Sequence, residues 1–91
     1  MPPTVPVHLI AKRTMLEFLQ TELRMALTFA DVASRTSVAA RSERSRKEAR
    51  KAYDTVLRMM NRVKLLPAET AELEERLAAL KSELRRLGEI F

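Results

Sequence analysis

The first helical pattern of hydrophobic and polar residues runs from Thr14 to Arg35, where apolar side chains recur every three or four positions. On a helical wheel they form two adjoining flanks that together cover about 220°, whereas roughly 100° or more is usual for a surface helix. A helix with so wide an apolar arc must be covered from two directions. One flank holds Leu16, Leu19, Leu23, Ala26, Leu27, Ala30 and Ala33, and the other holds Met15, Phe18, Met25, Phe29 and Val32. Thr14 and Glu17 have capping-box spacing, so we expect the helix to begin at Thr14.

A second helix is predicted over residues 38–64, although neither glycine nor proline separates it from the first. We place the break near residues 35–37 and expect Thr36 or Ser37 to cap the second helix. A single long helix through this point is the alternative, but the apolar periodicity weakens between Ala33 and Ala49. The apolar stripe of the second helix consists of Val38, Ala49, Ala52, Tyr53, Val56, Met59, Met60 and Val63, with Ser42 and Ser45 on the same line.

A third helix is predicted over residues 67–87, because Pro67 disfavours helical geometry for Leu66 but is well suited to a first helical turn. Its leucines alternate four and three residues apart, which is the heptad seam of a coiled coil. The seam consists of Leu73, Leu77, Leu80, Leu84 and Leu87. Gly88 is the expected C-terminal cap.

Short connections favour antiparallel neighbours, so the sequence predicts an all-α, up-down-up bundle of three helices over residues 14–91. Residues 1–13, with prolines at 2, 3 and 6, are interpreted as a flexible tail, and Met15 is an alternative start of the native chain. The competing architecture is a helical hairpin with a protruding third helix. Such a helix would have to pair with a second chain through its leucine seam, so the seam is a candidate association surface and a homo-oligomer is expected.

The composition excludes most catalytic chemistry. Cysteine is absent, Gly88 is the only glycine, and His8 is the only histidine. No thiolate nucleophile or glycine-rich phosphate loop is therefore possible, and His8 has no second ligand for a metal nearby. The acidic run at the start of the third helix suits the helix dipole better than a metal centre. We expect no enzyme activity, no cofactor, no metal and no membrane span, and a location in the reducing cytoplasm.

The net charge of +5 belongs to the second helix and its ends. Residues 35–64 carry ten lysines and arginines against three acidic residues, while residues 67–91 carry four against six. Five of the cations fall on one side of the predicted helix, opposite its apolar stripe: Arg44, Lys47, Lys51, Arg58 and Arg62. Such a ridge can follow a phosphate backbone or bind an acidic protein, although no aromatic residue is interleaved to stack on bases. Ion pairs of Glu43 with Lys47 and of Asp54 with Arg58 would neutralise part of it.

Two functions remain open on the sequence alone. The wide apolar arc and the leucine seam favour a non-enzymatic module for protein–protein interaction or self-association, and the basic ridge favours an accessory nucleic-acid-binding protein. The methionines Met15, Met25, Met59 and Met60 are expected to fill the core; if the core is incompletely closed, they would line a groove for a partner helix. The spacing of Ala49, Ala52, Tyr53 and Val56 is similar to the second helix of tetratricopeptide-type hairpins. It occurs only once, so it carries over no residue role.

Overall fold

The computed structural model describes residues 7–91, with side chains from residue 11 onward, and contains three helices in this range. They are α1 (Val7–Arg35), α2 (Ala39–Met60) and α3 (Pro67–Arg86). The helices pack against one another, and α1 packs more extensively against α2 than against α3. The predicted all-α three-helix bundle is confirmed, and the alternative of one helix running through residues 35–39 is wrong.

The direction of each helix follows from contacts at its two ends. Ser42 near the start of α2 donates a hydrogen bond of 2.7 Å to the carbonyl of Ala33 near the end of α1, so these two helices run antiparallel. Lys12 near the start of α1 lies 3.7 Å from Glu69 in the first turn of α3, so α1 and α3 run parallel. The order is therefore up-down-up, as the pattern predicts.

The core is formed by one flank of α1, the apolar stripe of α2 and the leucines of α3. Small residues are buried where α1 and α2 pack toward the α1/α2 connection, and large ones are buried elsewhere. The buried cluster consists of Leu19, Leu23, Ala26, Ala30, Ala49, Tyr53, Val56, Leu73, Leu77, Leu80 and Leu84. Leu16 and Leu27 pack against its edge. The sequence predicts Val38 on the core-facing stripe of α2. This is wrong, because Val38 precedes the helix and is exposed.

α1 begins at Val7, so the predicted start at Thr14 and the predicted flexible tail are wrong for residues 7–13. No proline or glycine occurs in this stretch, and its Ala11, Lys12 and Arg13 are good helix formers. The additional turns also bring Lys12 to its ion pair with Glu69. Thr14 is therefore an interior residue rather than a cap. The rest of the predicted tail, residues 1–6, lies outside the described residues.

The break between α1 and α2 lies at residues 36–38, as predicted, but the expected hydroxyl cap is absent. The N-cap residue is Val38, whose side chain makes no capping hydrogen bond. The Thr36 hydroxyl instead accepts a hydrogen bond of 3.2 Å from the amide of Val38, just outside the helix. This turn places Ser42 against Ala33, and that long-range bond ties the two helix ends together.

α2 ends at Met60, four residues before the predicted end at Lys64. Pro67 does hold Leu66 in an extended conformation, with φ −69° and ψ 153°, but the chain needs residues 61–66 to turn back toward α3. Val63 consequently lies in the connection and not on the stripe of α2. The amide of Leu66 donates to Glu69 over 2.8 Å, which satisfies one backbone donor at the start of α3.

α3 ends in a Schellman motif built on Gly88. The amide of Glu89 donates to the carbonyl of Leu84 over 2.9 Å, and the amide of Gly88 donates to the carbonyl of Arg85 over 3.0 Å. Gly88 has φ +96°, a conformation that side-chain-bearing residues rarely adopt. The prediction that Gly88 ends the helix is confirmed.

The leucine seam of α3 packs within its own chain. Leu73, Leu77, Leu80 and Leu84 are buried, and Leu87 packs against the edge of the core. The seam is therefore not an exposed association surface, and the alternative of a protruding third helix is wrong. The physical reason is that α1 has apolar surface for two neighbours, and α3 covers the side that α2 leaves open.

Candidate functional site

An exposed apolar row runs along α1 on the side that faces neither α2 nor α3. It consists of Phe18, Met25 and Val32, which are 42%, 49% and 36% exposed. These residues belong to the second predicted flank of α1, and they repeat every seven residues. The expectation that all the methionines fill the core is thus wrong for Met25. We call these three residues the apolar row.

A groove between α1 and α2 borders this row. Its deepest part has a volume of about 190 Å³, below the roughly 300–1,000 Å³ of a typical small-molecule pocket. Side chains from both helices line it: Glu22, Met25, Phe29, Glu48, Lys51, Ala52 and Thr55. Its floor is partly apolar, since Phe29 and Ala52 also pack against the core. The size and shape suit one or two inserted side chains.

Glu22 is half-buried in this groove, within the otherwise apolar arc of α1. Among the described residues it has no cation within ion-pair distance, and Lys51 and Glu48 line the same groove. Glu22 therefore lies at the edge of the packed interface, without an ion pair among the described residues.

The predicted basic ridge of α2 is exposed, but it does not form one continuous surface. Arg44, Lys47, Lys51 and Arg58 project from α2 away from the core. Arg62 departs from this line because α2 ends at Met60. It lies beside Ala11 and Met15 at the start of α1, next to Lys64. Four of the five residues of the predicted ridge lie on α2 and Arg62 lies beyond its end, while their contact with phosphate or an acidic protein stays a prediction.

Ion pairs divide the cations of α2 into two groups. Lys47 pairs with Glu43 at 3.1 Å, as predicted, whereas Asp54 pairs with Arg50 at 3.3 Å and not with Arg58. Four cations of α2 have no carboxylate within ion-pair distance among the described residues: Arg41, and farther along the helix Arg44, Lys51 and Arg58. The last three lie on one side of α2. We call these three residues the basic row. Their positions are also seven residues apart.

Contacts with the C-terminal segment position Arg50 for its ion pair with Asp54. Arg50 donates a hydrogen bond of 2.7 Å to the carbonyl of Ile90, and its guanidinium lies 3.9 Å from the centre of the Phe91 ring. Phe91 in turn packs edge-on against Tyr53, with ring centres 5.1 Å apart. The chain after Gly88 thus folds back onto α2 through Phe91, while Ile90 is exposed.

A shallow cleft of about 420 Å³ lies between α2 and this C-terminal segment. Its lining combines four cations with two carboxylates: Lys47, Arg50, Lys51, Arg58, Asp54 and Glu89, together with Thr55. The mixture of charges is less suited to a phosphate chain than the uniformly basic ridge predicted from the sequence.

Among the residues that the structure describes, no group of three metal-ligating side chains occurs, and no helix is long and apolar enough to cross a membrane. The glutamates at the start of α3 have local roles: Glu69 accepts from the amide of Leu66, and Glu72 lies 2.9 Å from Arg76. The side chain of His8 lies outside the described residues.

The sequence predicts the residues of the apolar row as part of a wide apolar arc and offers its methionines as a groove for a partner helix, but it does not separate this row from the residues of α1 that pack on the core. Met15 and Phe29 of the same flank pack against the core, whereas Phe18, Met25 and Val32 are exposed. What could not be read from α1 alone is which of its two flanks the neighbouring helices cover. The seven-residue repeat of the basic row was likewise hidden among ten cations between residues 35 and 64.

Comparison of the chain with protein-family models, with curated proteins and with solved structures gives no significant match.

Proposed function

We propose that the protein is a non-enzymatic helical interaction module that binds a helix of another protein along the apolar row of α1. The observation that carries the proposal is that Phe18, Met25 and Val32 stay 36–49% exposed beside a complete core. Such large side chains cost free energy in water, and their seven-residue repeat matches the seam that one helix presents to another. We further propose that this binding takes place in the cytoplasm.

The leucines of α3 take no part in this proposal, because they are buried in the chain's own core. The sequence argument for self-association rested on those leucines together with the wide apolar arc of α1. What remains for a partner is the row on α1, which extends from Phe18 to Val32, or roughly 21 Å of helix. A partner helix of four or five turns would cover it.

Site-specific photo-crosslinking tests this proposal. A photoreactive amino acid at position 25 should crosslink to one partner protein in cells that express the chain, while the same group at position 57 should not. Leu57 is a matched control, since it is 41% exposed on α2. The purified partner should then bind the unmodified chain, lose binding to Met25→Ser and keep binding to Leu57→Ser.

Two outcomes would contradict the proposal. Equal loss of binding in Met25→Ser and Leu57→Ser would show that the apolar row is not the contact. A crosslinked product containing only two copies of this chain would show self-association in place of binding to another protein.

Nucleic-acid binding is the second candidate, supported by the four cations around the cleft on α2. Phosphate contacts make binding steeply salt-dependent, because each one releases a counterion. A gel shift at low salt tests this candidate, with one RNA duplex and one DNA duplex of mixed sequence as the probes. Binding that falls steeply with salt and is lost in Lys51→Glu but kept in Met25→Ser would support it, and no binding at low salt would reject it.

A further inference from the structure

The connection between α2 and α3 lies at the end of the bundle where α1 begins. Glu69 links the two elements, because its Oε1 atom accepts a hydrogen bond of 2.8 Å from the amide of Leu66 and lies 3.7 Å from Nζ of Lys12. The connection also borders a pocket together with side chains of the first turns of α1. We call this end of the molecule, formed by the start of α1 and residues 61–66, the tip.

The charge at the tip is positive and unpaired. Residues 55–68 contain no aspartate or glutamate. Arg62 and Lys64 of this stretch are exposed, and neither has a carboxylate within ion-pair distance in the part of the chain that the structure describes. The first acidic residue of α3, Glu69, is already engaged by Lys12 and by the amide of Leu66. The tip therefore attracts an anionic surface.

Apolar surface is exposed beside these cations. Leu66 is 58% exposed, which is the highest value for a leucine among the described residues. A pocket of about 370 Å³ lies at the same end, and its described lining contains no carboxylate. This lining is apolar and cationic: Ala11, Met15 and Val63, together with Lys12, Arg62 and Lys64. The groove beside the apolar row and the cleft on α2 differ from it, since each contains two carboxylates.

From this combination we propose that the tip docks on a membrane surface that contains anionic lipids. Leu66 inserts into the boundary between the headgroups and the lipid tails, while Arg62 and Lys64 bind the negatively charged headgroups. Attachment to one leaflet in this way needs both contributions, burial of apolar surface and attraction to anionic lipids. The inference goes beyond the proposed function, because the apolar row lies along the side of α1 and stays open to a partner helix.

Other occupants fit the tip less well. A nucleic acid would pair with the cations but would leave Leu66 in water. An acidic protein would satisfy both features, but the bundle measures only 24 × 16 Å across its long axis, whereas a standard protein interface takes roughly 800 Å² from each partner. A membrane needs no such area from one molecule, since a single inserted side chain and a few cations give reversible attachment.

Tryptophan fluorescence tests the insertion of Leu66. The chain contains no tryptophan, so one introduced at position 66 reports on the tip alone. With phosphatidylcholine vesicles that contain phosphatidylserine, the emission of Leu66→Trp should shift to the blue and be quenched by lipids brominated in the acyl chains. Ile90→Trp is the matched control, because Ile90 is 86% exposed and lies beside Arg50 near the middle of α2. Its emission should not shift.

Co-sedimentation with the same vesicles tests the cations. At low salt Arg62→Glu should bind at least about tenfold more weakly than the unmodified chain, because repulsion replaces attraction at the surface. Arg44→Glu makes the same change in net charge near the opposite end of α2 and should bind less than about threefold more weakly. Leu66→Ser should bind about fivefold more weakly. Circular dichroism of each variant checks that the bundle remains folded.

Four outcomes would overturn the inference, and none of them bears on the helix partner of the apolar row. The first is that the unmodified chain does not bind the anionic vesicles at low salt. The second is equal loss of binding in Arg62→Glu and Arg44→Glu, which would show attraction by net charge alone. The third is binding without a blue shift at position 66. The fourth is binding of an RNA duplex, but not of vesicles, that is lost in Arg62→Glu, which would assign the cations to nucleic acid.

Discussion

Gly88 shows how one residue can end a helix and position the segment that follows. Its φ of +96° allows the amide of Glu89 to reach back to the carbonyl of Leu84. A Cβ atom added at this position would meet no other atom within 4 Å, so the cost of a substitution is conformational only. We expect Gly88→Ala to destabilise the fold by about 1 kcal/mol, measured by urea unfolding. Gly88→Asn should cost less, because asparagine tolerates this conformation. Equal stabilities of the unmodified protein and both variants would contradict the Schellman motif at the end of α3.

Phe91 is the residue through which the C-terminal segment contacts α2. Its ring packs on Tyr53 and lies under the guanidinium of Arg50. We expect Phe91→Leu, which keeps an apolar side chain but removes the aromatic ring, to lower the free energy of unfolding by about 1 kcal/mol. A double-mutant cycle with Arg50→Ala measures the cation–π part. Additive effects of the two substitutions would show that the ring and the guanidinium do not interact.

At the scale of the elements, α3 is the helix that the sequence predicts best. Its start at Pro67, its leucine seam and its glycine end are all set by residues within the helix or next to it. Local signals of this kind can be read without knowing the neighbouring helices. The partner of the seam could not be read in the same way, because a heptad seam packs equally well within one chain or between two.

α1 and α2 show where local reasoning fails. The capping-box spacing of Thr14 and Glu17 is a local signal, yet the helix continues through it, because residues 7–13 contain no helix breaker and Lys12 gains an ion pair on α3. Asp54 has Arg50 and Arg58 at equivalent distances along α2, and only the contact of Arg50 with the distant Ile90 and Phe91 decides between them. In both cases the deciding contact lies far away in the sequence.

Hydrogen exchange tests the corrected start of α1. In a helix that begins at Val7, the amides of residues 11–14 have backbone carbonyls four residues earlier to bond to. We expect these amides to exchange measurably more slowly than an unstructured peptide of the same sequence, although faster than those near Leu19 and Leu23. Exchange of these amides at the rate of an unstructured peptide would contradict a helix that begins at Val7 and support the flexible tail predicted from the sequence.

At the scale of the whole molecule, the three helices bury the leucines of α3 and the core-facing flank of α1, and they leave the apolar row of α1 exposed. The buried seam of α3 removes one of the two apolar surfaces through which two copies could associate. We therefore expect a single-chain mass near 10.4 kDa in light scattering behind a sizing column. A dimer that persists on dilution and is broken by Met25→Ser would show that a second copy occupies the groove.

The binding surface that we propose is the apolar row of α1, formed by Phe18, Met25 and Val32. A titration of the isotope-labelled chain with the partner protein identified by crosslinking, followed by two-dimensional NMR, tests this surface. Amide signals of Phe18, Met25 and Val32 should shift together with one dissociation constant, while those on the solvent side of α3, such as Glu74 and Ala78, should not move. Shifts confined to the outer side of α2, around Lys47 and Arg50, with no change along α1, would contradict the account.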